Sequence, residues 1–99
     1  MTMTTKMMIR PAEELGPVLA GRNVAASLRD RVEAALARGE AVVIDFEGVH
    51  AMSPSFADEL FAKLSVRPDQ GGDQIRFEHL RDDLQALMDY VLRGRPSAS

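Results

Sequence analysis

Apolar and polar positions along the chain switch between two periods, and the switches mark out the elements. Lys6-Met7-Met8-Ile9-Arg10 is a short apolar run with charged ends, stopped by Pro11. It reads as a strand, since proline is tolerated at strand ends and edges. Residues 11–21 hold Pro11, Gly16, Pro17 and Gly21 and read as a connection, in which Val18 and Leu19 can add to a sheet edge. Asn23 is placed to cap the helix that follows. Val24, Leu28, Val32, Ala35 and Leu36 recur at helical spacing and predict one apolar stripe over 24–38. Arg29 and Glu33 stand four apart on the outer face of that helix, a spacing that pairs opposite charges weakly. Arg38 complements the negative end of the helix dipole, and Gly39 supplies the left-handed residue after it.

Ala41-Val42-Val43-Ile44-Asp45-Phe46 is continuously apolar up to its carboxylate, which predicts a central strand covered on both faces. Glu47-Gly48 turns the chain, and Val49 to Met52 leads into the next helix. Ser53 and Pro54 fit the cap and first position of that helix, where a missing N–H costs nothing. Phe56, Leu60 and Leu64 form its core stripe, widened by Ala57 and Phe61. Phe56 also admits a second reading, an exposed aromatic anchor at a binding face. Residues 67–73 read as a loop, and Gln74 to Glu78 alternates as a half-exposed strand does. Leu80, Leu84, Leu87, Met88 and Val91 define a last helix, with Asp82 and Asp83 at its positive end and Arg93-Gly94 closing it. The order is β-α-β-α-β-α. It predicts an α/β fold: a small mixed or parallel β-sheet flanked by about three helices, in a single domain over 1–99. The core is expected over about 5–93, with residues 94–99 as a frayed tail.

Composition narrows the chemistry. The 99 residues contain no cysteine, which removes disulfides, thiol catalysis and zinc–thiolate sites together. The net charge of −3 is uneven: residues 1–40 carry six bases and five acids, residues 41–99 six bases and ten acids. A nucleic-acid or anionic-membrane surface usually needs a basic face, so neither partner is expected. No window approaches the roughly 20 apolar residues of a membrane span. The first residues lack the apolar core of a signal peptide, and a cytoplasmic location is expected.

Catalytic parts are scarce. His50 and His79 each lack a second histidine at metal-binding spacing, and Gly71-Gly72 is followed by Asp73 rather than by the Lys-Ser/Thr of a phosphate loop. Asp45, His50 and Ser53 can be drawn as a triad or as the lining of a small-ligand pocket, but no nucleophile-elbow motif surrounds either serine. His50 reads as a solvated turn residue and His79 as the residue entering the last helix. No catalytic residue, metal site or cofactor is therefore expected. The stretch that stands out is DFEGVHAMSPSFADE, residues 45–59. A buried strand delivers a carboxylate at its end, a short turn follows, and a serine-bounded helix starts. In open α/β sheets, ligands and partners dock beyond the carboxyl ends of the strands. The candidate docking residues are Asp45, Glu47, His50, Ser53, Pro54, Ser55, Asp58 and Glu59.

This stretch resembles the bacterial STAS domains, which include the anti-sigma-factor antagonists, and is most similar to their compact STAS-like relatives. The matching residues are Gly21-Arg22, Val42 through Val49, and Met52 through Phe61, within a similarity spanning about residues 15–90. The resemblance implies a non-enzymatic regulatory module that binds other proteins, typically a histidine-kinase-like ATPase. In the antagonists a serine at the start of the helix after the central strand is phosphorylated, in a motif reading roughly Asp-Ser-Ser-Gly. Laid on this chain, those positions are Ser53, Pro54, Ser55 and Phe56, so the acceptor position is proline. The candidate phosphoacceptors are the flanking Ser55 and Ser53. A phosphate there would meet the positive end of the helix while adding charge beside Asp45, Glu47, Asp58 and Glu59. The alternative is a structural, self-associating domain that pairs through its last helix or an uncovered strand edge.

Overall fold

The structure, a computed structural model, describes residues 6–64 and 74–93. The loop expected at 67–73 and the tail at 94–99 lie outside those residues. The elements, in order, are β1 (Lys6–Ile9), α1 (Pro11–Leu15), β2 (Val18–Leu19), α2 (Arg22–Ala37), β3 (Ala41–Asp45), β4 (Ala51–Met52), α3 (Pro54–Ala57), β5 (Ile75–Glu78) and α4 (Asp82–Leu92). A π-helical segment, Asp58–Ala62, continues α3 without a break. The strands β1, β3 and β5 form one sheet in the order β1-β3-β5, and β2 pairs with β4 in a second, two-stranded one. Every pairing is parallel. The fold is therefore α/β as expected, with purely parallel pairing and four helices among the described residues in place of about three.

The fourth helix is α1. Pro11, Gly16 and Pro17 read from the sequence as breakers of the whole connection, yet they act as the start and stop of a single helical turn. Pro11 sits at the first helical position with Glu13 and Glu14 behind it in the favourable first turn. Gly16 ends the turn in the left-handed region at φ 94°. Val18 and Leu19 do add to a sheet, through Ala51 and Met52.

The long helix α2 begins earlier than the periodicity predicts. Its cap is Gly21 at φ 96°, and Asn23 lies inside the helix instead of capping it. The buried stripe is Ala25, Leu28, Val32 and Ala35, with Leu36 partly buried, while Val24 is exposed. The central strand β3 is buried from Val42 to Asp45, as continuous apolar character requires. Phe46, Phe61 and Phe77 meet behind it, with ring centroids 5.4–6.1 Å apart. Phe56, Leu60 and Phe61 are at most 1% exposed, so the core reading of Phe56 holds and the exposed-anchor reading does not. Gly48 turns the chain after β3 at φ 88°, and a Cβ there would stand 3.1 Å from the Ala12 Cβ. The backbone there favours glycine, and a side chain would also crowd Ala12.

Candidate functional site

Two charged clusters stand out on this core, and long-range pairing helps to assemble each. Parallel pairing gathers the carboxyl ends of β1, β3 and β5 along one edge, with Ile9 beside Ile44 and Asp45 beside Glu78. The next residues outward are Arg10 and His79. Asp45 is only 4% exposed. Its Oδ1 accepts from the Glu47 amide at 3.0 Å and from His79 Nδ1 at 2.7 Å, and its Oδ2 faces Arg10 Nε at 3.5 Å. His79 reaches it from a left-handed backbone, φ 55°. Consecutive strand residues point to opposite faces, so Glu78 and His79 converge on one carboxylate only because the chain leaves the strand geometry there.

The Glu47 amide, then His79 and Arg10, hold the Asp45 carboxyl below its ordinary 3.8, against the opposing effect of burial. The bond to Asp45 in turn raises His79 above its ordinary 6.5, with Glu47 and Glu78 adding their charge. Asp45, Glu78 and His79 bring three donor atoms within 4.8 Å of one another. Both oxygens of Asp45 are already engaged, so the group stands as an ion-pair network closed on itself.

The second cluster surrounds the start of α3. Ser53 has extended backbone, and its Oγ accepts from the Phe56 amide at 3.1 Å, the cap expected of it. Ser55 Oγ lies 3.2 Å from Ser53 Oγ. One turn on, Glu59 is nearly buried, yet it carries three cations. Arg29 Nη1 donates to its Oε2 at 2.8 Å, Lys63 Nζ to its Oε1 at 3.0 Å, and Arg22 Nη1 to the same Oε1 at 3.4 Å. Arg29 Nη1 also donates to the Glu59 backbone carbonyl at 2.8 Å. Arg29 and Lys63 hold the Glu59 carboxyl at about 2, well below 4.5. Arg29 therefore reaches across from α2 to the π-helical segment, a long-range contact that its spacing to Glu33 did not announce. Leaving the nearly buried Glu59 carboxylate unpaired would be strongly destabilising, because it would strand an uncompensated charge away from water.

Beside this network a cleft of about 310 Å³ opens between the first turn of α3, the start of α2 and the end of α4. Arg22, Pro54, Ser55, Asp58, Tyr90 and Val91 line it. Arg22 Nη1 stands 3.7 Å from Asp58 Oδ2. Tyr90 is about half exposed.

The eight candidate residues are thus divided. Pro54, Ser55 and Asp58 share the cleft, Ser53 caps the helix behind it, and Glu59 anchors the network beneath. Asp45 belongs to the strand-end cluster, where Glu47 contributes its amide. His50 is exposed, and its amide donates to the Pro17 carbonyl at 2.7 Å. The drawn triad does not assemble among the described residues: the histidine on Asp45 is His79, and the Ser53 hydroxyl serves the Phe56 amide. Sequence reasoning missed Arg10, Arg22, Arg29, Lys63, His79 and Tyr90. For His79 and Arg10 a signal existed, since each immediately follows a strand, and strands with helical crossovers end at the same edge. No helix among the described residues is long and apolar enough to cross a membrane.

A family model described as a STAS-like domain of unknown function (DUF4325) matches residues 24–85. The match takes in all but the first two residues of α2, the whole of β3 and of α3 with its π-helical segment, and both Asp45 and His79. No curated protein and no solved structure matches the chain.

Proposed function

The chain belongs to this family of STAS-like domains, and from that membership we propose that it is a regulatory protein–protein interaction module. Its partner docks in the cleft at the start of α3. The observation that carries the reading is the make-up of that cleft. Tyr90, Pro54 and Val91 offer apolar contact, Arg22 and Asp58 offer both signs of charge, and Glu59 holds Arg22 from beneath. A partly exposed tyrosine and an arginine around a shallow recess are the side chains that most often carry binding energy at protein interfaces.

The partner class favoured by the resemblance is a histidine-kinase-like ATPase, as for the anti-sigma-factor antagonists. Within the cleft, Ser55 is the better phosphoacceptor of the two serines, because the Ser53 hydroxyl is occupied as the helix cap. The module works by contact, without chemistry of its own. The test is affinity capture of the tagged chain from its source cells, with the wild type beside Tyr90→Ala and Arg22→Glu. Recovery of such an ATPase by the wild type and its loss in both variants is the expected outcome. Equal recovery by all three would move the docking face away from the cleft. Recovery of the chain alone would favour self-association, a reading to which the exposed Met8 on the edge strand β1 and Val18 on β2 lend support.

A further inference from the structure

We propose that the Asp45–His79 contact is a proton-operated latch that sets the seat of α4, and through it the shape of the α3–α4 cleft. The inference extends the docking reading to the regulation of the same surface. His79 is the pivot between β5 and α4: it leaves the sheet at φ 55°, and α4 begins three residues later at Asp82. Its ring, more than half exposed, is tied to a nearly buried carboxylate on the neighbouring strand at 2.7 Å. Beyond the pivot, α4 packs on α3 and on the π-helical segment through Leu84, Met88 and Val91. Its last turn carries Tyr90 and Val91 into the cleft. One rigid helix therefore connects the two clusters.

The charges around the ring favour its protonated form. Asp45 at the end of β3, Glu47 in the following turn and Glu78 on β5 all raise its affinity for a proton. Arg10, following β1, faces the far oxygen of Asp45, and Arg81 at the start of α4 is turned to Asp83, 3.5 Å away. The sign follows. A histidine raised above 6.5 in the folded state holds its full contribution below 6.5 and loses it as pH rises through the folded value. The latch is closed in mild acid and loosens in mild alkali.

The chain itself supplies the probe, since Tyr90 is its single tyrosine and there is no tryptophan. Tyrosine emission of the isolated full chain is followed from about pH 5 to about 9, alongside the histidine ring resonances by NMR. The expected result is one transition in Tyr90 emission with the same midpoint as His79, above 6.5, present in His50→Gln and lost in His79→Gln. Emission that stays flat while His79 titrates would overturn the latch. So would a transition that survives His79→Gln, or wild-type midpoints that differ, and the last comparison stands even if the variant unfolds. Because no partner is present, failure here leaves the docking reading intact, and failure of partner capture leaves the latch intact.

Discussion

The strand-end cluster and the network beneath α3 solve one problem with different parts. Each buries a carboxylate and surrounds it with donors, one local in the chain and the others from distant elements. Glu59 is held by two arginines and a lysine, which keep its carboxyl at about 2. Asp45 is held by a backbone amide, one arginine at longer range and a histidine. The first arrangement is a fixed brace, insensitive to conditions between mild acid and mild alkali. The second places a group that titrates near neutrality at a hinge between sheet and helix. Rigidity under the cleft and adjustability at the opposite end of α4 thus come from the choice of cation alone.

The largest expected effect comes from cutting what lies between the two regions. Phe61 belongs to the π-helical segment beside Glu59, and it meets Phe46 and Phe77, the neighbours of Asp45 and Glu78. Phe61→Ala should cost about 3–5 kcal/mol in denaturant unfolding, the usual range for a large core aromatic. A loss below about 1 kcal/mol would mean that the two clusters do not share one core. Gly48→Ala comes next, because it strains the turn whose Glu47 amide holds Asp45 and drives a methyl toward Ala12. Its expected cost is about 1–3 kcal/mol by thermal melts, and a neutral result would show that the turn re-forms freely. On the α3 side, Ser53→Ala should cost about 1 kcal/mol through the lost cap. An unchanged melting curve would remove Ser53 as the cap and shift the role to Ser55.

The last difference is full at neutral pH and closes in acid, so it is read as a slope. Glu59, at about 2 in the folded chain against 4.5, contributes stability that is full above 4.5 and drains away as pH falls toward 2. Unfolding midpoints across that window should fall more steeply for the wild type than for Glu59→Gln. Parallel slopes would show that the brace is not electrostatic. Asp45, depressed below 3.8, gives the strand end an acid edge as well, so only that region responds on both sides of neutrality.

The local pieces of this fold were legible in the sequence. The unbroken apolar run to Asp45 marked the buried central strand, Ser53-Pro54 marked the helix start, and the last helix buries Leu84, Met88 and Val91 of its expected stripe, with Leu87 partly buried and Leu80 ahead of the helix. What was not legible depends on partners far away in the chain. Arg29 could be paired locally with Glu33 from its spacing, but its partner is set by how α2 lies across the π-helical segment. His79 looked incidental because its significance arises only when β5 lies beside β3. The register that pairs Asp45 with Glu78 is invisible until the strands are ordered. Val24 and Ala25 show a smaller version of the same limit, since one step of helix rotation decides which of the two is buried. No periodicity marks the π-helical segment, whose wider turn is a property of backbone bonding and not of side-chain pattern.

The purely parallel pairing has a further consequence, for the order in which the molecule forms. Lys6 lies beside Ala41 and Val42 beside Ile75, so no strand pair can close as a hairpin. Each must wait until partners more than thirty positions apart in the chain have been brought together. Folding should therefore be slower than for a helical bundle of equal length, with α2 gaining structure before any strand finds its neighbour. During that wait the apolar β3 is unpaired along both edges. Nascent chains are then most open to association with one another, at a stage when the finished surface, with its net negative charge, does not yet exist.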